Sequence, residues 1–237
     1  MKRSDINRAV REGEALIRSH GVHLPPFASW TPQAWAALGP EGQELIDHAL
    51  GWDLTDFGLG EYARFGLLLF TLRNGSLDEA LSGAGRTYAE KVLLVGEDQV
   101  TKFHFHHRKT EDIINRGGAQ LELTLYNAAA DDTLDDTPVV VQVDGVTRTL
   151  GAGGVVLLSP GESITLRPRQ YHQFTARGGA VLAGEVSSVN DDHADNVFLE
   201  PLGRFPSIEE DEAPYRLLVA DYGQLQRWSA AGREGLP

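Results

Sequence analysis

The chain has 237 residues, of which 41% are hydrophobic and 23% charged, so it is long enough to bury a core without disulfides. Its formal net charge of -13 disfavours a nucleic-acid surface, which requires clustered positive charge. The sequence contains no cysteine, which excludes a disulfide framework, thiolate metal ligands and a cysteine nucleophile.

The N-terminal quarter has the pattern of helices. Ser4 can cap a first helix whose apolar residues recur at helical spacing, and Gly21 can end it. Thr31 and Pro32 are the start signals of a second helix. We therefore expect residues 1–60 to form a helical extension packed on the main body of the protein.

From about Gly66 onward, short apolar runs alternate with turn signals. The predicted strands lie in GLLLFTLRNG, TYAEKVLLVGED, VTKFHFH, QLELTLYNA, VVVQVDGVTRTL, GVVLLSPGESITLRPRQYHQFTA and VLAGEVSSV. Asp144-Gly145 is a two-residue hairpin signature. This texture predicts an all-β sandwich or barrel over residues 61–200. Residues 201–237 are expected to add a last strand, YRLLVADY, and a frayed tail.

Three histidines and a glutamate lie close together in FHFHHRKTE. Because side chains alternate along a strand, His104 and His106 point to the same side and can chelate one ion. Glu111 can join them only if the chain bends after the strand and continues as a neighbouring strand. His172, in RPRQYHQF, can supply a fourth ligand. The H-x-H pair alone is more often two exposed residues, but the full set favours a metal site.

Three neutral imidazoles and one carboxylate form a ligand set without sulfur. Such a set suits Mn, Fe, Co, Ni or Zn better than Cu(I) or Ca. A six-coordinate ion would keep two positions open for substrate or water. The spacing of the ligands leaves both the metal and the reaction open.

The same residues resemble the two metal motifs of the cupin family. The first motif is matched by His104, His106, Glu111 and Gly118. The second motif is matched by Gly161, Pro168 and His172. Gln170 and Ala176 stand where the second motif usually has glycine and asparagine.

Segments outside these motifs extend the resemblance. VHLPPFASW, LGWDLTDFG, LFTLRNG, RKTEDIINRGG and GEVSSVNDD resemble the cupin-type D-lyxose isomerases (D-lyxose ketol-isomerases). The resemblance implies a double-stranded β-helix (jelly-roll) barrel, a bound divalent metal, usually Mn²⁺, and a homodimer. It also implies the interconversion of D-lyxose and D-xylulose, often with D-mannose and D-fructose.

Aldose–ketose isomerisation moves a hydrogen between C1 and C2, either through a cis-enediol(ate) with a base or by a metal-assisted hydride shift. We favour the enediol route. Glu185 shares a strand face with small residues and is a candidate base, with a salt bridge at the barrel rim as the alternative. Lys109 lies at the predicted bend and is a candidate donor to a sugar oxygen, with a solvated loop lysine as the alternative.

Four further candidates lie in the polar segments after the last barrel strand. Arg204 and Glu210 belong to a stretch that can close over the mouth of the barrel and are candidate catalytic residues. Asp192 and Asn196 are candidates for binding sugar hydroxyls, although charge-rich loops are usually only solvated.

Other functions are compatible with the same fold. An iron-dependent cupin dioxygenase would use the same ligand set, and a non-enzymatic sugar-binding cupin would not need an intact metal site. An isomerase of phosphorylated sugars would need basic residues such as Arg167, Arg169 or Arg204 at the mouth. No apolar run reaches the length of a signal peptide or a membrane span, so we expect a cytoplasmic protein that contacts neither membranes nor nucleic acid.

Overall fold

The computed structural model describes residues 1–191, 194–203 and 206–228. The α-helices are α1 (Arg3–Ser19), α2 (Pro32–Ala36), α3 (Gln43–Asp47) and α4 (Leu77–Ser82). Segments of 3₁₀ helix span Pro26–Ser29, Pro40–Gly42 and Val219–Trp228. None of the helices in these ranges combines the length and the apolar character that a membrane crossing requires.

The strands are β1 (Gly51–Thr55), β2 (Leu67–Arg73), β3 (Tyr88–Val95), β4 (Val100–His106), β5 (Glu111–Ala128), β6 (Leu134–Asp135), β7 (Val139–Val143), β8 (Val146–Leu150), β9 (Gly154–Leu158), β10 (Ser163–Leu166), β11 (Gln170–Ser188) and β12 (Asn196–Phe198). Eight of them pair in an antiparallel sheet of order β1-β2-β3-β11-β5-β10-β7-β8, and β4, β6, β9 and β12 pair with strands beside this path. The all-β prediction is confirmed, and the fold is the cupin double-stranded β-helix barrel that the resemblance implies.

Strand β11 organises the barrel. One of its edges pairs with β5 along most of its length, while the other edge pairs first with β4 and then with β3. This long strand therefore brings side chains of β3, β4 and β5 toward one interior. The interior is filled by buried aliphatic and aromatic side chains, among them Leu93, Leu123 and Phe174.

Helix α1 packs on the outside of the sheet. Its apolar stripe of Ile6, Val10 and Ile17 is buried in a second core with residues of β2 and β3. The predicted cap is wrong: α1 begins at Arg3, and the Ser4 backbone N–H and hydroxyl both donate to Asp211 instead. The sheet also begins within the predicted helical segment 1–60, because β1 pairs with β2.

Helix α2 begins as the sequence predicts. Thr31 precedes the helix in extended backbone, and its hydroxyl oxygen accepts a hydrogen bond from the Ala34 backbone N–H at 3.2 Å. Pro32 occupies the first turn, where no backbone hydrogen bond is lost.

The predicted last strand, YRLLVADY, is wrong. In its place the chain makes one bridge, between Leu218 and Trp52, and then turns into the 3₁₀ segment Val219–Trp228. The Asp221 carboxylate accepts from the Leu218 backbone N–H at 2.8 Å, which favours a turn over extension. The Tyr222 hydroxyl donates to Leu50 O at 2.6 Å and fixes the segment against the N-terminal part of the chain. The predicted frayed tail, SAAGREGLP, lies outside the described residues.

Residues with positive φ form the turns that aim the strands. Asp144 (φ 50°) and Gly145 (φ 78°) join β7 to β8, which confirms the predicted hairpin. In the second motif the left-handed residue is Arg169 (φ 64°), whereas Gln170 opens β11. The Arg169 guanidinium binds Asp132 at 2.8 Å and lies over the Phe105 ring, which offsets the backbone strain.

The first-motif glycine leads to a stability prediction. Gly118 has φ 95°, and a Cβ built there would lie 2.2 Å from Ala180 O. We expect Gly118→Ala to lower the free energy of unfolding by at least about 2 kcal/mol, because backbone strain and a steric clash add. Gly145→Ala is the matched control, since Gly145 also has positive φ but has open space around it. Urea unfolding of both variants tests this, and equal losses would contradict the role assigned to the contact.

Candidate metal centre

The predicted metal ligands of two strands meet inside the barrel. His104 and His106 lie on the same face of β4, with ring centroids 5.2 Å apart. His172 on β11 lies opposite His104 in the strand register, with ring centroids 4.1 Å apart. One nitrogen atom of each ring lies within 4.8 Å of the others, so this group can hold a metal ion.

The bend that Glu111 requires is present. Strand β4 ends at His106 and β5 begins at Glu111. The two strands do not pair with each other, because they pair with opposite edges of β11. The buried carboxylate of Asp195 holds the bend by accepting from the backbone N–H groups of Arg108 (2.9 Å) and Lys109 (3.0 Å). As a result, Glu111 Oε1 lies 3.0 Å from His172 Nε2.

Backbone carbonyls orient two of the imidazoles. His104 Nδ1 lies 2.9 Å from Lys102 O, and His172 Nδ1 lies 3.1 Å from Gln170 O. Because a carbonyl can only accept, each Nδ1 carries the proton and leaves the Nε2 lone pair available to a metal. Desolvation lowers the pKa of His104 well below its usual range, with repulsion from His172 and His106 adding to it. Desolvation, followed by the Lys109 ammonium, also lowers the pKa of His106.

The unpaired polar atoms at this point fit a cation. Within the described part of the chain, neither His106 nitrogen nor Glu111 Oε1 has a hydrogen-bond partner, although all three atoms are buried. Glu111 Oε1 nevertheless lies 3.4 Å from His106 Nε2. Buried polar atoms without a hydrogen-bond partner are unfavourable. A divalent transition-metal ion would satisfy Glu111 Oε1 and the unprotonated nitrogen of His106 together.

A run of buried charges continues from Glu111. Lys109 Nζ lies 2.8 Å from Glu111 Oε2 and 2.9 Å from Glu185 Oε1. Lys91 Nζ lies 3.1 Å from the same Glu185 oxygen, and the two residues are direct cross-strand partners. Two carboxylates and two ammonium groups thus alternate in a region from which water is largely excluded.

The pairing of these charges decides their protonation. Burial alone would raise the pKa of both carboxyl groups, but the Lys109 ammonium holds the pKa of Glu111 well below its usual range. Lys109 and Lys91 likewise outweigh burial and lower the pKa of Glu185. Burial would lower the pKa of Lys109, but Glu111 and Glu185 outweigh it and raise that pKa. All three groups are therefore charged at neutral pH.

A cavity opens onto these groups, and its lining contains two kinds of residue. The polar ones are the three histidines together with Lys91, Lys109, Glu111 and Glu185, and the apolar ones include Leu69, Leu93 and Phe174. The Phe198 ring also lines the cavity, 5.6 Å from His104 and 5.7 Å from Phe57. The cavity therefore offers a ligand both charged groups and apolar surface.

The structure brings some of the other predicted residues together and not others. Lys109 and Glu185 lie in the charged run, so the salt bridge considered for Glu185 exists but is buried in the cavity. Asn196 lines the same cavity. Glu210 does not line it, because its carboxylate binds the buried Arg3 guanidinium at 2.6 Å; the catalytic role predicted for Glu210 stays a prediction. Asp192 and Arg204 lie outside the described residues.

Two of the three basic residues considered for a phosphorylated substrate, Arg167 and Arg169, lie elsewhere, and Arg204 is outside the described residues. Arg169 binds Asp132 and donates to Ala129 O, and within the described ranges neither Arg169 nor Arg167 lines the cavity. Their positions give no support to an isomerase of phosphorylated sugars.

The sequence interpretation missed three residues of the site: Lys91, Asn190 and Asp195. A signal for Lys91 was present, because it is a single lysine inside the apolar run of β3 and shares a face with Leu93 and Val95, which face the barrel interior. The other two residues lie outside regular strands, where side-chain direction does not follow from spacing.

Comparisons with known proteins cover most of the chain. The D-lyxose isomerase family model matches residues 1–222. A relative from Serratia proteamaculans, named D-lyxose/D-mannose isomerase, is 49% identical over 225 residues, which cover 94% of this chain and 98% of the relative. A relative of the same name from Escherichia coli O157:H7 is 47% identical over 229 residues, covering 95% and 100%.

Solved structures extend the comparison to the fold alone. The ligand-free L-ribose isomerase of Cellulomonas parahominis is 16% identical, with a TM-score of 0.55 over 87% of this chain and 98% of that chain. The L-ribose isomerase of Geodermatophilus obscurus gives a TM-score of 0.56 at 16% identity, with the same coverage.

The unpaired donor atoms lead to a prediction about metal binding. We expect the protein to bind one divalent transition-metal ion per chain, and His172→Ala to weaken that binding by at least about a hundredfold, because a direct ligand is lost. His107→Ala is the matched control, since His107 is adjacent to the cluster in sequence but exposed. Metal analysis and calorimetric titration with Mn²⁺ measure both, and equal binding by the two variants would contradict the assignment.

The lowered histidine pKa values lead to a prediction for the metal-free protein. Below pH 6.5, the unfolded chain takes up protons that folded His104 and His106 do not, so stability falls as the pH is lowered. The limiting slope is about 1.4 kcal/mol per pH unit for each histidine. Urea unfolding between pH 7.5 and 5 measures the slope. A His104→Gln/His106→Gln variant should have a flatter profile; an unchanged profile would rule out these groups as its cause.

Proposed function

The chain belongs to the D-lyxose isomerase family, and from this premise we propose that it interconverts D-lyxose and D-xylulose, and D-mannose and D-fructose as well. The observation that carries the proposal is the position of a buried carboxylate and ammonium, Glu185 and Lys109, directly beside a group of metal ligands in one cavity. Removing a proton from a sugar carbon needs a base, and it also needs positive charge that stabilises the resulting anion.

We propose that His104, His106, His172 and Glu111 hold the metal, with Mn²⁺ as the resident ion; their nitrogen and oxygen donors also suit other divalent transition metals. When bound, such an ion supplies Lewis-acid stabilisation of the negative charge that develops on the sugar oxygens. The carboxylate of Glu111 also binds Lys109, so the ligand set and the acid–base groups are directly connected.

Glu185 is the proposed base. Its lowered pKa keeps the carboxylate ionised at neutral pH, so that it can accept the proton from C2 of the aldose. The C2–H electrons then form the C1–C2 double bond of a cis-enediol(ate), while the electron pair of the C1=O1 double bond moves to O1. Return of the proton to C1 and loss of the O2 proton, with formation of the C2=O2 double bond, give the ketose.

Lys109 is the proposed partner of the sugar oxygens. Its ammonium donates to Glu111 at 2.8 Å and to Glu185 at 2.9 Å. Its third N–H makes a longer contact of 3.3 Å with Asn190 Oδ1 and can be shared with a sugar oxygen. From this position it can stabilise an enediolate oxygen and carry the hydroxyl proton that passes from O2 to O1. The charged residues that line the cavity also favour a polyhydroxylated ligand rather than the aromatic substrate of a dioxygenase.

We expect Glu185→Gln and Lys109→Ala each to lower the turnover number by about a hundredfold or more, because each removes one proton-transfer group. The metal content should stay near that of the unaltered protein. The measurement is ketose formation from a panel of free pentoses and hexoses after metal removal and addition of single divalent ions.

Glu122→Gln is the matched control, since Glu122 is an ion-paired glutamate of the same barrel that binds Arg177 away from the cavity. Running the reaction in D₂O distinguishes the two routes. Incorporation of deuterium at the transferred position supports the enediol; complete retention of the original hydrogen at all times would favour the hydride shift and remove the proposed role of Glu185.

A further inference from the structure

We propose that Asn190, anchored by Asn74, is a positioning residue that fixes the ammonium groups of Lys91 and Lys109 against one oxygen of Glu185, leaving the other oxygen for the proton. This inference rests on the proposed isomerase function. It concerns a segment outside the metal ligands and gives a role to two asparagines for which the reaction itself has no need.

The side chain of Asn190 completes a ring of hydrogen bonds. Its Oδ1 atom accepts from Lys91 Nζ at 2.7 Å and from Lys109 Nζ at 3.3 Å. The same two ammonium groups donate to Glu185 Oε1 at 3.1 and 2.9 Å. Lys91 is therefore held between Glu185 and the amide oxygen of Asn190, and Lys109 between Glu185, Glu111 and the same amide oxygen.

This ring makes the two oxygens of Glu185 unequal. Oε1 accepts from Lys91 at 3.1 Å and from Lys109 at 2.9 Å, whereas the single proton of the Ser187 hydroxyl has its shorter contact, 2.8 Å, to Ser188 O. Within the described ranges, Oε2 has a contact of 3.4 Å with Lys91 as its one recorded hydrogen bond. A proton bound to Oε1 would displace strong donors, whereas a proton bound to Oε2 would not. The ring thus selects Oε2 as the atom that takes the proton.

Asn190 needs an external anchor because it lies between β11 and β12, outside regular structure. Asn74, one residue after β2 and buried, supplies that anchor. Its Nδ2 donates to Asn190 O at 3.0 Å, and its Oδ1 accepts from the Asn190 backbone N–H at 3.0 Å. A side-chain amide paired in this way with the backbone N–H and C=O of one residue holds both the position and the orientation of the loop.

The amide at position 190 is neutral, and this matters for the chemistry. A buried ammonium needs acceptors, and Lys91 has Glu185 and Asn190 as its recorded ones. A carboxylate at position 190 would satisfy Lys91 but would compete with Glu185 for both lysines. An amide satisfies the lysines while leaving Glu185 as their charged partner.

The lysine content of the chain makes a direct test possible. There are four lysines, Lys2, Lys91, Lys102 and Lys109, so ¹⁵N-lysine labelling gives at most four side-chain signals. In the unaltered protein the ammonium signals of Lys91 and Lys109 should be protected from exchange with water, with Lys2 as the exposed internal reference. Asn74→Ala should remove the protection of Lys91, lower the turnover number by on the order of tenfold, and leave KM within about twofold.

Asn127→Ala is the matched control. Its side-chain amide also fixes a loop, donating to Thr137 Oγ1 and Pro138 O, but it does not line the cavity. This variant should change neither the lysine signals nor the turnover number. Asn190→Ala tests the same ring with the Asn74 side chain intact, and it replaces Asn74→Ala if that variant does not fold.

The double variant separates positioning from general stability. Because Asn74 acts through Asn190, Asn74→Ala/Asn190→Ala should lose no more turnover than Asn190→Ala alone. Additive losses that follow a lower melting temperature would indicate a structural role and overturn the inference. Unchanged lysine protection and turnover in Asn74→Ala would also overturn it. Failure of the unaltered protein on every sugar would instead refute the proposed function, while the lysine signals still test the ring.

Discussion

Buried positive and negative charges alternate from Lys91 through Glu185 and Lys109 to Glu111, and this alternation determines how the other groups of the site are arranged. Removing a single ion from water costs several kcal/mol unless an opposite charge and hydrogen bonds replace the water. Here Glu185 and Lys109 take the place of water around each other's charge. Lys91 does the same for Glu185, and Glu111 for Lys109. The run tolerates little displacement, so the barrel must keep β3, β5 and β11 in fixed register.

Helix α1 and the C-terminal 3₁₀ segment are packed against the barrel or tied to each other. Helix α1 covers the outer face of β2 and β3, so the strand that carries Lys91 is packed from both sides. The buried guanidinium of Arg3 binds Asp221 and Glu210, which ties the start of α1 to the C-terminal 3₁₀ segment. The carboxylate of Glu210 is used in this tie, which accounts for its distance from the cavity lining.

Local patterns predicted the features that local geometry determines. The period of two along β4 placed His104 and His106 together, and Asp144-Gly145 identified its hairpin, because both depend on a few adjacent residues. Features set by distant partners could not be read in this way. Ser4 does not cap α1 because Asp211 takes its hydrogen bonds, and YRLLVADY does not extend because Asp221 accepts from the Leu218 N–H. The sequence pattern around Lys91 was interpreted only as a buried core strand, because the neighbouring residues are apolar.

The tie between Arg3 and Asp221 spans 218 positions of the sequence. A growing polypeptide leaves the ribosome from its N-terminus, so the guanidinium is made long before its carboxylate partners exist. Until these carboxylates have been made, burying Arg3 would leave an uncompensated charge. Docking of the beginning of α1 on the sheet is therefore unfavourable. The order of synthesis thus delays docking of the start of α1 until Asp221 has been translated.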